Sequence, residues 1–150
     1  MGTGMQVKGC VLCESDGGVL IADTPYWRVI RATDQAGFPL VYRVIWNKHV
    51  AEFSELLPEE RERCMEAVAW VELAVRDYLK PDKVNLAALG NMVPHLHWHI
   101  IPRYRWDPHF PNPIWGQAVR GVSPEQWEGL EKQREALERY LKDNIGSLNS

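Results

Sequence analysis

The chain has 150 residues, 45% of them hydrophobic and 25% charged, and a formal net charge of −3, the profile of one globular domain large enough to bury a core. The acidic balance speaks against a partner such as a nucleic-acid polymer, whose phosphates call for an excess of Lys and Arg, though a local pocket could still hold a small nucleotide. No apolar run approaches the roughly 20 residues of a bilayer span, and residues 1–8 lack a signal-type apolar stretch, so the expected location is the cytoplasm, with no membrane partner and with Cys10, Cys13 and Cys64 reduced.

Residues 1–9 read as a loose lead-in. After Gly17-Gly18 an apolar run, 19–22, is broken at Thr24-Pro25 and resumed over 26–31, which predicts a β-hairpin. A loop around Asp34-Gln35-Ala36-Gly37 and Pro39 leads to a third strand over 41–46. Residues 54–60, Ser-Glu-Leu-Leu-Pro-Glu-Glu, carry a capping-type residue, a first-turn Pro and acidic charge, so a helix is expected to start there and run to about Leu79. Its apolar positions include Met65, Val68, Val75 and Leu79, and Lys80-Pro81-Asp82 ends it. Strands are expected over 84–89 and 96–101, then an irregular, packed loop over 102–121. Ser123-Pro124-Glu125 begins a last helix to about Asn144, its stripe Trp127, Leu130, Leu137 and Leu141 interrupted by Arg134. The reading is one α+β domain: an antiparallel five-stranded sheet, two main helices and an extra C-terminal helix.

Three of the five histidines, His95, His97 and His99, occupy alternate positions. In a strand such residues share a face about 6.6 Å apart, and a buried row would have to satisfy every ring nitrogen. Besides a chance run on a solvated edge, two chemistries suit it. A neutral imidazole is a nucleophile at neutral pH while a charged neighbour holds phosphate oxygens, or an H-x-H pair chelates a transition metal. Cys10-x-x-Cys13 alone leaves redox, packing and metal readings open.

The stretch Gly90-Asn91-Met92-Val93-Pro94-His95-Leu96-His97-Trp98-His99-Ile100-Ile101-Pro102-Arg103 resembles the signature of the histidine-triad (HIT) superfamily, and Val44 to His49 followed by a helix is similar to that family's second landmark, an apolar strand ending in Pro-x-x-His. The resemblance spans about residues 10–105, leaving about 106–150 as a C-terminal extension. It implies a homodimeric nucleotide hydrolase, most similar to bacterial diadenosine-tetraphosphate-hydrolase-like proteins, acting on dinucleoside polyphosphates or nucleoside phosphoramidates. The alternatives are a nucleotidyl transferase, or a nucleotide- or zinc-binding module with little turnover. His97 matches the nucleophile that carries the nucleotidyl group covalently, His99 a phosphate-contacting residue, and His95 one that supports the site from behind or shares a metal. Asn91 and Asn85 resemble the family's upstream amides, and Arg103 closes the signature as a further candidate for substrate contact.

The same resemblance implies a closed structural zinc site of Cys10, Cys13, His49 and His95, and no organic cofactor. Arg28, Arg31 and Arg43 on the expected sheet could meet a polyphosphate or a carboxylate; Arg105, Trp106, His109 and Trp115 could close over a substrate; Tyr26, Trp27 and Phe38 could stack on a base. The chain departs from the family in having no His over 39–43, Trp46 or Asn47 in place of the landmark proline, and Met92 where many members have Ser. These departures bear on rate and leaving-group preference.

Overall fold

In the computed structural model, which describes residues 6–148, a short helix α1 (Val11–Glu14) precedes a hairpin of β1 (Val19–Asp23) and β2 (Trp27–Arg31). Then come β3 (Tyr42–Trp46), α2 (Pro58–Leu79), β4 (Lys83–Ala87), β5 (His97–Arg103), α3 (Pro124–Glu128) and α4 (Glu131–Asn144). The five strands form one sheet in the order β1-β2-β3-β5-β4, every neighbouring pair antiparallel. The expected α+β class and five-stranded antiparallel sheet are what the chain adopts. No helix among the described residues is long and apolar enough to cross a membrane.

Local chemistry sets the elements. The β1–β2 turn closes on Thr24, whose hydroxyl oxygen accepts from the backbone N–H groups of Tyr26 and Trp27. The α2 helix starts at Pro58, inside the expected stretch, where the Glu60 carboxylate caps the Leu57 N–H at 2.8 Å, while residues 53–55 form a separate 3-10 turn. It stops at Lys80 in the left-handed conformation. The last helix, expected to be continuous, is broken at Gly129-Leu130. Trp127 turns to Phe38 and Trp106, whereas Leu137 and Leu141 enter the main core, so one straight helix could not serve both neighbours. Arg134, which interrupts the stripe, pairs with Glu131 and with Glu138, and Glu138 also accepts from Tyr42 and Arg31 at 2.7 Å each, fastening α4 to the sheet.

The period of two along each strand gives the sheet two different faces. Trp27, Val29, Tyr42, Val44, Trp46 and Ile100 pack against Cys64, Ala67, Val68, Val71, Val75 and Leu79 of α2 and Leu137 and Leu141 of α4. The opposite face carries Arg28 and Ile30, Arg43 and Ile45, His97, His99 and Ile101. It is covered only in part, by Leu12 of α1, by Phe38 and by Ile114 of the loop after β5. A polar site therefore lies on the side of the sheet without long helices.

Candidate functional site

The first half of the site is a cluster of four ligand-type side chains. Cys10 is the N-cap of α1 and Cys13 lies within it, His49 follows β3 and His95 precedes β5. The His95 Nδ1 lies 3.5 Å from Cys10 Sγ and 3.6 Å from Cys13 Sγ, and the His49 Nδ1 lies 3.4 Å from Cys13 Sγ. All four ligand atoms fall within 4.8 Å of one another. Tetrahedral coordination with usual zinc–sulfur and zinc–nitrogen bond lengths would separate sulfur from nitrogen by about 3.6 Å. The three measured sulfur–nitrogen separations match that value, and the group could hold a metal ion. His95 Nε2–H donates to the Trp46 carbonyl at 2.6 Å, which leaves Nδ1 as the lone-pair nitrogen and turns it to the thiols, the arrangement a ligating imidazole needs behind it. Arg28 holds α1 in place, donating to the carbonyls of Leu12 at 2.7 Å, Ser15 at 3.1 Å and Asp16 at 3.0 Å, and to Asn47 Oδ1 at 2.8 Å.

The second half is the pair His97 and His99, rings 5.0 Å apart. The expected row of three imidazoles holds only two, because the strand begins at His97 and the His95 ring belongs to the cysteine cluster. His95 reaches the pair through its backbone: its carbonyl accepts from His97 Nδ1–H at 2.6 Å. That bond fixes the His97 tautomer, so Nε2 carries the lone pair. Burial, and behind it the Arg43 charge, lowers the His97 pKa, although the bond to the His95 carbonyl works the other way. His99 has the opposite tautomer. Arg43 Nε–H donates to its Nδ1 at 3.3 Å, so its proton sits on Nε2. A cavity of about 240 Å³ opens beside His97, lined by Ala51, Phe53, Leu89 and Gly90 among others. The ring of Trp115 stands 5.0 Å from that of His99.

Burial first, then the Arg43 charge, lowers His99 to about 4. The unfolded chain takes up this proton below pH 6.5 and the folded chain only near 4, so acidification across that window favours unfolding. Between pH 6.5 and 4 the fold is expected to lose about 3 kcal/mol on this account. Urea unfolding at pH 7 and pH 4.5 should show a pH slope that shrinks in His99→Gln; an equal slope in both proteins would dismiss this account.

The remaining sequence candidates divide. Asn91 is exposed in the loop between β4 and β5. Arg103 is not presented to a ligand: its side chain is 2% exposed and pairs with fully buried Asp107 at 2.9 Å, with further bonds to Asn85 Oδ1 and the Asn112 carbonyl at 2.8 Å each. Asn85 is thereby engaged through its oxygen, on the same structural tie. Burial alone would raise the Asp107 pKa, but Arg103 and the backbone N–H groups of Tyr104, His109 and Phe110 bring it below the usual carboxylate range. This network folds the loop that carries Trp115 to His99. Asp107→Ala is expected to destabilise the protein by about 3–5 kcal/mol, as removal of one partner strands the buried guanidinium; a loss below about 1 kcal/mol in denaturant unfolding would refute this tie.

Tyr26, Trp27 and Phe38 lie in the packing of the two cores. Sequence reasoning passed over α1, the tie through Asp107 and the partner of Arg43, Asp34, which meets it at 3.0 Å. The spacing Arg103 to Asp107 was the one available signal for the tie. Asp34 sits in a turn and gave none.

Comparison with known proteins agrees with this geometry. Residues 17–106 match the model of the HIT domain family. A histidine triad protein from Bradyrhizobium japonicum shares 29% identity over 81% of this chain and 92% of its own, with a TM-score of 0.63. One from Marinobacter aquaeolei shares 27% over 84% and 92%, with a TM-score of 0.64. At 17% identity, over 82% of this chain and 76% of the other, the diadenosine triphosphate hydrolase of Plasmodium falciparum shares the fold, with a TM-score of 0.58. Comparison with curated proteins returns no match.

Proposed function

Because the chain belongs to the HIT domain family, we propose that it is a nucleotide hydrolase that breaks a nucleoside phosphate bond through a covalent nucleotidyl intermediate on His97. The observation that carries this reading is the 2.6 Å bond from His97 Nδ1 to the His95 carbonyl, which leaves Nε2 unprotonated on a residue that lines a cavity. Nε2 attacks the α-phosphorus: an N–P bond forms, the P–O bond to the leaving group breaks, and the electron pair departs with that oxygen. The His95 carbonyl holds Nδ1–H and so stabilises the positive charge the ring acquires. Water then attacks the same phosphorus and loses its proton to solvent. The N–P bond breaks, the pair returns to Nε2, and a nucleoside monophosphate is released. His99, with its proton on Nε2, donates to a non-bridging phosphate oxygen, where charge grows in the transition state. Asn91 is the amide we assign to the same phosphate.

The metal we assign to Cys10, Cys13, His49 and His95 is zinc, since two thiols and two imidazoles gathered within 4.8 Å match its preferred donors. Bound there, it would brace the fold, all four positions being filled by protein. A homodimer is supported by β4, an edge strand, which carries exposed Leu86, with exposed Leu73 on α2. A single domain is supported by α4, whose Leu137 and Leu141 share the core of α2 and the sheet. Free thiols at all three cysteines suit the cytoplasm. The test is brief incubation with a labelled dinucleoside polyphosphate followed by quenching. A nucleoside monophosphate as product, and its mass added to the peptide holding His97, are expected; tight binding with neither would reject the reading.

A further inference from the structure

The reading above leaves open whether the departing group is a polyphosphate or an amine. Arg43 bears on this choice. It is the cross-strand partner of His99 on the same face, with Nε 3.3 Å from His99 Nδ1 and its two terminal nitrogens 3.4 and 3.0 Å from the carboxylate of Asp34. The Arg43 side chain is 11% exposed and that of Asp34 69%, so water screens the carboxylate and another anion can replace it. The other described cations on this face are engaged or distant. Arg28 is bonded to α1, Arg103 to Asp107, and Lys83 lies on the edge strand with Nζ on the Val84 carbonyl.

We propose that Arg43 is the leaving-group residue of this site: released from Asp34, its guanidinium pairs with the phosphates beyond the scissile bond, so the substrates are nucleoside polyphosphates and not nucleoside phosphoramidates. This rests on His97 as the nucleophile. An amine departs only if it takes a proton. Arg43 does not give one up. His99, with its Nδ1 lone pair engaged by Arg43, has one proton, on Nε2, and its loss would leave an imidazolate. A polyphosphate needs no proton. It leaves as an anion with the electron pair of the broken P–O bond, and a fixed planar cation stabilises it, two N–H donors at a time. Neither His99 nor Arg43 supplies a general acid, and this together with the extra cation favours the same substrate class.

The test compares wild type with Arg43→Gln, Arg43→Lys and Asp34→Asn on a dinucleoside tetraphosphate and an adenosine alkylphosphoramidate. Arg43→Gln is expected to lower kcat/KM for the tetraphosphate by about 10²-fold while changing that for the phosphoramidate far less, and Arg43→Lys to recover part of the loss. Equal losses on both substrates would overturn the proposal. Calorimetry on the same proteins gives a readout that does not require turnover. Wild type is expected to bind ATP more tightly than AMP, Arg43→Gln to lose that preference, and Asp34→Asn to strengthen it. Should wild type turn over neither substrate, the hydrolase reading falls and calorimetry alone decides: a preference lost in Arg43→Gln upholds the role of Arg43, and a preference retained there, or weakened in Asp34→Asn, overturns it.

Discussion

His97→Ala is expected to lower turnover by at least about 10⁴-fold and to abolish the covalent nucleotide altogether. Removing a nucleophile that acts as a unit with its neighbours leaves only binding and charge stabilisation, which is why such losses are large and not additive. The alternative role for a buried histidine is packing, and the two roles differ in what else changes. His97 is 9% exposed and its one hydrogen bond is to the neighbouring backbone, so alanine should cost modest stability. Near-wild-type unfolding together with lost turnover marks a reacting group. His99→Ala should behave differently. The phosphate loses one donor, the rate falls by about 10²–10³-fold, and labelled nucleotide still attaches to His97. Rapid-quench labelling of the two variants separates these expectations, and nucleotide still trapped on the His97→Ala chain would show that the attacking atom lies elsewhere.

The β1–β2 hairpin, β3, α2 and the sheet class were legible because each rests on a local period or a turn residue that acts within its own segment, as Thr24 does at the hairpin turn. The elements that were not legible depend on distant partners. The four-residue α1 has little propensity of its own; Arg28 on β2 holds it, donating to the Leu12 carbonyl. The break at Gly129 follows from Trp127 reaching Phe38, a residue far back in the chain. The site divides in the same way. The alternation His95, His97, His99 is plain in the sequence, but a period of two cannot say where a strand begins. The cysteines claim the His95 ring, so it contributes to the pair only through its carbonyl. Arg103 belonged to a recognisable signature, yet burial beside Asp107 makes it a fastening of the loop. The contact of Arg43 with His99 needed the β3–β5 register, which single-strand patterns do not contain.

If the Cys10, Cys13, His49 and His95 cluster holds zinc as proposed, removing the ion is expected to have the second-largest effect, and on the fold before the chemistry. The four ligands come from α1, the end of β3 and the approach to β5, so one ion would join three segments that otherwise meet through Arg28 and a few backbone bonds. Burial lowers His95 to about 4 and raises the Cys13 thiol, and two thiolates become favourable only with a divalent cation between them. A ligand present at a hundred times its dissociation constant stabilises by about 2.7 kcal/mol, and a closed Cys₂His₂ zinc site binds more tightly than that at ordinary free zinc levels. Protein purified without chelator should therefore carry close to one equivalent of zinc. Cys13→Ser should lose it, and thermal unfolding should shift down by at least the roughly 9 °C that such a stabilisation represents in a domain of this size. Activity should fall with it, because the His95 carbonyl that fixes the His97 tautomer sits on the backbone that a bound ion would brace. The order of events carries the argument: a bracing ion predicts that stability is lost in step with zinc even when no substrate is present. If a chelator strips the metal and the unfolding temperature stays put, the cluster is not a brace, and the His95 carbonyl that fixes the His97 tautomer is held in place by the Trp46–His95 bond and the backbone bonds of Leu96.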